Sequence, residues 1–310
     1  MQTHSILAVF GNPILHSKSP QLFNSAIEKA GIPAFYTRIR PQSAHDIIEI
    51  IKTFPLLGAN ITAPYKEEVK ELVSIASLDA ETIGAVNTIV NSGGRLIGYN
   101  TDHYGVTQAL NEAGINIANA KCLVLGAGGA ARAAVYGLIN HGAKVYICNR
   151  TQSKAQAIAN SFPCEVISWD NFNQKNEFDV VISTLLPNVL PPFFENLSFY
   201  HLLDASYKQS EISKISKQRG VNIISGERWL LHQAAEAYKL ILNNLPNLET
   251  MTTGLTKPLD KNNLIIQEIH KTSPNKIAST HPHLLISTEG LNALQIKIIA
   301  DEEISKAFGS

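Results

Sequence analysis

A chain of 310 residues exceeds the roughly 250 at which a single hydrophobic core stops growing, so two domains with a cleft between them are expected. Twenty-six acidic residues balance twenty-six basic ones with no basic cluster, which points away from a nucleic-acid partner; 45% hydrophobic and 17% charged residues describe an ordinary folded chain. No apolar run approaches the ~20 residues that span a bilayer, and the opening MQTHSILAVFGNP lacks a basic leader, so a cytoplasmic protein without a membrane partner is expected.

The first third alternates strand and helix signals. SILAVFG reads as a strand, followed by a helix that Ser19 can cap, that Pro20 suits in its first turn and that Gly31 closes. Leu22, Phe23, Ala26, Ile27 and Ala30 line one face of it. AFYTRIR is the next strand, Ser43 to Phe54 the next helix with Ile47, Ile48, Ile50 and Ile51, and LLGANIT a third strand. This is the pattern of an α/β layer with a mostly parallel sheet. The pattern breaks around Asn100 to Gly105 and restarts with the short helix VTQALNEAG. Strands then follow in KCLVLG, AKVYICNR, CEVISW, FDVVISTLL, HLLDASY and VNIIS, separated by helical segments as in a Rossmann-like unit.

The expected domains are thus residues 1–102, an α/β unit completed by a C-terminal helix at about 228–255, and 103–227, a dinucleotide-binding unit. Residues 256–310 form an extension with no assigned role; TKPLDKNN and KTSPNKIASTHPH read as loop. His270, His281 and His283 lie there without acidic or cysteine companions, and no metal site is expected. Three cysteines make neither a ligand set nor a disulfide framework; Cys122 and Cys148 sit in apolar strands as small core residues.

The glycine cluster GAGGAA follows a short apolar strand and opens a helix, the context that a dinucleotide fingerprint requires. Gly126 permits the turn, Gly128 lets backbone approach a pyrophosphate, and Ala131 is small where helix and strand pack. Ala127, Gly129 and Ala130 complete the loop, whose N–H groups and helix dipole favour phosphate. Twenty-three residues beyond Gly126, where an NAD site places an acid for the ribose, stands NRTQSK. Asn149, Arg150, Thr151 and Lys154 therefore argue for NADP, because a guanidinium can fork onto a 2′-phosphate; Thr151 equally suits a helix N-cap.

With SKSP at 17–20, GANITAPYK at 58–66, AVNT at 85–88, NTD at 100–102 and GAGGAA…NRT beyond, the chain resembles the shikimate dehydrogenase family over roughly residues 5 to 250. The resemblance implies that the first domain with the C-terminal helix binds substrate and that the central domain binds NADP. It implies Lys66 and Asp102 as the catalytic pair, Ser17 and Ser19 on the substrate carboxylate, and Asn60, Thr62, Asn87 and Asp102 around the ring hydroxyls. Tyr207 and Gln233 match a family tyrosine and glutamine at the substrate; Ser183, Thr184 and Gly226 match positions on the cofactor side.

Residue chemistry agrees with these roles. A small hydroxylated anion calls for several directional hydrogen bonds, which Ser, Thr and Asn provide. Reducing a ketone requires a hydride from the nicotinamide and a proton for the developing alkoxide. A lysine is ordinarily protonated at neutral pH, and Asp102 alongside would keep Lys66 charged and aimed. The expected activity is NADP-dependent reduction of 3-dehydroshikimate to shikimate by a monomer or homodimer.

The chain departs from the family at several points. VVISTLLPNVLPP stands where the family has a run close to Asn-Ala-Thr-Ser, Arg228 and Trp229 replace a glycine and a methionine, and KQSE follows Tyr207 in place of proline and threonine. Two alternatives follow: a relative acting on quinate or an aminated shikimate, and a shikimate-binding sensor without productive cofactor placement.

Overall fold

A computed structural model describes residues 5–14, 16–54, 56–170, 177–257, 265–271 and 294–299. His281, His283 and the loops expected around 258–264 and 272–283 lie outside these residues, as does the side chain of His270. The chain divides into two compact units, residues 1–100 with 234–310 and residues 101–233. Among the described residues no helix is long and apolar enough to cross a membrane, and no cluster of His, Cys, Asp or Glu could hold a metal.

The first unit runs β1 (Ser5–Phe10), α1 (Ser19–Ala30), β2 (Ala34–Ile39), α2 (Ala44–Thr53), β3 (Leu56–Ile61), α3 (Lys66–Leu72), β4 (Ile75–Ala76), α4 (Leu78–Ile83), β5 (Thr88–Ser92) and β6 (Arg95–Tyr99). β1 pairs in parallel with both β2 and β3, so the connections between these strands are crossovers, which carry α1 and α2. β5 and β6 then add antiparallel. α2 forms where the sequence places it because Ser43 and Asp46 make a reciprocal capping box, a contribution of about 1 kcal/mol, and Ile47, Ile48, Ile50 and Ile51 are all buried. α1 differs from expectation at its start. Lys18 occupies the N-cap position without a side-chain cap, and Ser19 is already the first helical residue, its hydroxyl turned to other partners.

The second unit runs α5 (Asp102–Glu112), β7 (Lys121–Leu125), α6 (Gly129–Asn140), β8 (Lys144–Cys148), α7 (Gln152–Ser161), β9 (Glu165–Ile167), β10 (Glu177–Ser183), β11 (Ser198–Asp204), α8 (Glu211–Gln218), β12 (Asn222–Ser225) and the first half of α9 (Gly226–Leu242). Its six strands are all parallel in the order β12-β11-β10-β7-β8-β9. The chain therefore leaves β7 toward one edge and returns to its other side at β10, which makes the β7/β10 boundary a topological switch point. Register aligns Ser225, Asp204, Ser183, Leu125, Cys148 and Ile167 across the sheet. Gly226, Ala205, Thr184, Gly126 and Asn149 consequently emerge together one residue later, at the carboxyl edge.

The C-terminal helix expected at about 228–255 is two helices. α9 ends at Leu242, Asn243 takes φ 48°, and Pro246 precedes α10 (Leu248–Thr256). Tyr238 of α9 packs 5.8 Å from Phe23, and Gly254 of α10 lies against the Gln21 carbonyl, which ties both to α1. β13 (Ile265–Lys271) pairs in parallel with β2, and β14 (Leu294–Ile299) pairs antiparallel with β13, extending the first sheet.

Cys122 and Cys148 are fully buried core residues. Burial pushes both thiols up to about 12 and the half-buried Cys164 up to about 11. A raised thiol pKa leaves almost no thiolate near neutrality, so the native protein should react with less than about one equivalent of a disulfide reagent at pH 8, and with all three cysteines after denaturation. Rapid labelling of the native chain would contradict this packing.

Candidate active site

In the first unit a chain of polar side chains crosses the sheet. Ser17 Oγ donates to Ser19 Oγ at 3.3 Å, and the Ser19 hydroxyl hydrogen-bonds the Tyr36 phenol. Tyr36 Oη donates to Asn60 Oδ1 at 2.8 Å. Asn60 Nδ2 in turn donates to Thr88 Oγ1 at 3.0 Å and to the Asn87 carbonyl at 3.2 Å, while Thr88 Oγ1 donates to Asn87 Oδ1 at 3.0 Å. Ser19, Asn60, Asn87 and Thr88 are all buried, and Tyr36 is 0% exposed. Burial pushes the Tyr36 phenol well up, more than the Ser19 bond and the Arg38 charge pull it down, so it stays a donor.

The register explains this assembly. Val9 in β1 stands beside Asn60 in β3, Asn60 beside Thr88 in β5, and Thr88 beside Tyr99 in β6, so the amide and hydroxyl side chains share one row at the ends of the strands. β3 then passes through Thr62 and the cis Ala63–Pro64 peptide into α3, whose first residue is Lys66. Thr62 and Lys66 are half-buried, and the Lys66 carbonyl accepts from Val86 N at 2.9 Å, fixing the loop to the segment that carries Asn87.

In the second unit Asp102 opens α5 and is 7% exposed. Trp229 Nε1 donates to the Asp102 carbonyl at 3.0 Å, and Thr101 Oγ1 donates to Gln233 Oε1 at 3.3 Å. α9 lies so close to α5 that a β-carbon on Gly105 would come within 2.7 Å of Trp229 Cδ1 and 2.8 Å of Gln233 Cβ, so only glycine fits this crossing. Arg228 forms a bidentate pair with Glu112, holding that carboxyl below its usual range, and His232 Nε2 lies 3.1 Å from Glu112 Oε2. The two residues that depart from the family, Arg228 and Trp229, are thus both engaged with α5.

Tyr207 sits in a loop organised by Asp204. The buried Asp204 carboxylate accepts from Ser206 N at 3.1 Å and from the Ser210 and Ser213 hydroxyls at 2.5 Å, while Ser210 also caps α8. These bonds fix the segment without the family's proline. Tyr207 is 40% exposed overall, yet surrounding protein, followed by the carboxylates of Asp102 and Glu227, pushes its phenol up, so it too remains a donor.

The glycine loop meets the carboxyl edge of the second sheet. Gly126 takes φ 111°, a conformation that other residues rarely adopt, with the Thr184 side chain packed directly over it. The Thr184 hydroxyl donates to the Leu125 carbonyl at 2.9 Å, and Ser183 is 1% exposed inside the sheet. Gly226 rests on the backbone of Asp204 and Ala205. Those three side-chain positions therefore shape the edge. Above Gly128 and Gly129 no atom lies within 4 Å of where a β-carbon would stand, leaving space at the N-terminus of α6; Ala127 and Ala130 are half-buried beside them. Arg150, Thr151 and Lys154 are exposed after β8, and Asn149 Nδ2 donates to the Thr151 carbonyl at 2.9 Å. Thr151 holds the N-cap position of α7 without a side-chain cap bond, so its hydroxyl is not used for capping.

Residues 9–89 match the family described as the shikimate dehydrogenase substrate binding domain, and residues 107–189 match shikimate / quinate 5-dehydrogenase. The chain is 35% identical over 243 residues to the shikimate dehydrogenase (NADP(+)) of Aquifex aeolicus, covering 76% of this chain and 90% of that protein. The crystal structure of shikimate dehydrogenase from the same organism superposes with a TM-score of 0.76 at 30% identity, covering 83% of this chain and 99% of that one. The Thermus thermophilus enzyme, solved in complex with NADP(H) and shikimate, gives a TM-score of 0.74 at 30% identity, covering 81% and 98%.

Tyr36 and Arg38 belong to this constellation although no motif contains them, and Thr88 and Trp229 were named in the sequence without a role in it. One signal was present: AFYTRI is buried at all six positions yet carries Tyr36 and Arg38 on one face, and a charged residue in a buried strand calls for a reason. Tyr36→Phe removes the 2.8 Å donor to Asn60 at a fully buried site. An unpaired buried acceptor costs about 1–3 kcal/mol, so the urea midpoint should fall accordingly with an unchanged slope. An unaltered midpoint would show that the chain of bonds contributes no stability.

Proposed function

Because this chain belongs to the shikimate dehydrogenase family, we infer that it catalyses the reversible, NADP-dependent reduction of 3-dehydroshikimate to shikimate. The observation that carries the reading to this chain's own residues is the hydrogen-bonded row of Asn60, Asn87 and Thr88 beside the loop that delivers Lys66. Such a row of fixed amides and hydroxyls suits a polyhydroxylated ligand. Ser17 and Ser19 take the substrate carboxylate, Asn60, Thr62, Asn87 and Asp102 the ring hydroxyls, and Tyr207 and Gln233 complete the contacts.

Lys66 donates the proton to the developing alkoxide and Asp102 keeps the ammonium oriented; in the oxidation direction Lys66 accepts the proton. Bound NADPH supplies the hydride. The residues present fit this group: Gly126, Ala127, Gly128, Gly129 and Ala130 surround free space at a helix N-terminus, where backbone N–H groups receive phosphate. The half-buried Asn149 and the exposed Arg150, Thr151 and Lys154 suit the 2′-phosphate, and Ser183, Thr184 and Gly226 shape the edge on which the group lies. The engagement of Arg228 and Trp229 with α5 favours an enzyme over a sensor, since neither bulky side chain is left loose. The protein acts in the cytoplasm as a monomer or homodimer, without membrane or nucleic-acid partners.

The test is cofactor reduction by the purified protein with shikimate, and separately with quinate, in the presence of NADP or NAD. Shikimate with NADP should be the best pair. Arg150→Ala should lower kcat/KM for NADP by about 10–100-fold, the worth of charge-assisted bonds of ~1.5–3 kcal/mol, while NAD changes little. Better turnover of quinate would reassign the substrate, and shikimate binding with no turnover on either cofactor would establish the sensor.

A further inference from the structure

β2 buries all six of its residues, and Arg38 among them is the largest fully buried side chain of the described residues, 1% exposed. A guanidinium does not lose its proton in proteins, so the interior holds a permanent positive charge here. Arg38 Nε and one terminal nitrogen both donate to the Ser17 carbonyl, at 2.9 and 2.5 Å, and the same terminal nitrogen donates to Gln21 Oε1 at 2.8 Å. Ser17 stands in a turn closed by its own N–H on the Ile14 carbonyl at 3.0 Å, and its hydroxyl engages the N–H and the hydroxyl of Ser19. Arg38 thereby fixes the backbone of the residue that starts the polar chain. Its charge is also felt at Tyr36, the hydrogen-bond partner of Ser19.

We propose that Arg38 is a positioning and specificity-determining residue for the anionic group of the substrate: it clamps Ser17 and places a fixed positive charge behind the Ser17–Ser19 pair. This rests on the assignment of those serines to the substrate carboxylate. Two neutral hydroxyls donate to a carboxylate, an ester or an amide alike, and although the charge-assisted bonds to the anion are the stronger, a buried cation adds a further preference for it. A cation held in a low-dielectric interior supplies that preference without touching the ligand.

The experiment compares kinetics on shikimate and on its neutral methyl ester for wild type, Arg38→Met, Arg38→Lys and Ser17→Ala, with thermal unfolding of each. Wild type should prefer shikimate by at least ~10-fold in kcat/KM, a charge-assisted increment of ~1.4 kcal/mol. Arg38→Met should raise the KM for shikimate by ~10-fold or more, leave kcat within about threefold, and barely alter the ester; Arg38→Lys should restore much of the preference because the charge remains. Equal use of acid and ester by wild type overturns the proposal with no variant needed, as does an Arg38→Met enzyme impaired equally on both. Failure of wild type to oxidise shikimate would instead refute the functional reading. A Ser17→Ala enzyme with unchanged kcat/KM on both the acid and the ester would refute the serine assignment and this proposal with it.

Discussion

Polar side chains buried in an apolar sheet are tolerated only when each finds a partner, and the first unit depends on meeting that condition from Ser17 to Asn87. Ser17, Ser19, Tyr36, Asn60, Thr88 and Asn87 come from three strands, a helix start and two loops, yet the bonds from Ser17 to Ser19, from Tyr36 to Asn60 and among Asn60, Thr88 and Asn87 are 2.8–3.3 Å. Each member bonds the next in the interior, so the group is held as a unit. That is the property a site for a hydroxylated ligand needs, because pre-set amides and hydroxyls need little reordering on binding. Arg38 extends the same logic to the chain's outer end.

The second unit rests on a different constraint, the parallel register that brings Gly126, Asn149, Thr184, Ala205 and Gly226 to one edge. Ser183, Thr184 and Gly226 at that edge shape backbone, while space stands open at Gly128 and Gly129 and the NRTQSK segment follows β8. The start of α5 is secured separately, by Trp229 on the Asp102 carbonyl, by Gln233 on Thr101 and by the close approach at Gly105. Trp229 secures the start of α5 in a way a thioether could not, because its indole N–H reaches the Asp102 carbonyl.

Elements set by local pattern were legible from the residues. Alternating strands and helices, the helix that begins at Ser43, the glycine loop after KCLVL and the core cysteines all follow from period, turn chemistry and burial. What escaped was non-local or a local near-miss. Tyr36 and Asn60 are 24 residues apart and Trp229 and Asp102 are 127 apart, and no periodicity links such pairs. Ser19 looked like a helix cap because its neighbours fit that role, but burial turns its hydroxyl toward Tyr36. The break between α9 and α10 was marked by Asn243 and Pro246, yet apolar residues at helical spacing on both sides masked it.

The measurement that reaches the centre of this account pairs steady-state oxidation of shikimate with calorimetric titration of shikimate, on wild type and on Lys66→Met. The account requires turnover to fall by ~100-fold or more, the scale of a lost general acid–base group, while binding stays within about tenfold. A variant that keeps its turnover would remove Lys66 from the chemistry and leave the buried row of amides and hydroxyls as a binding surface whose reactive group lies elsewhere.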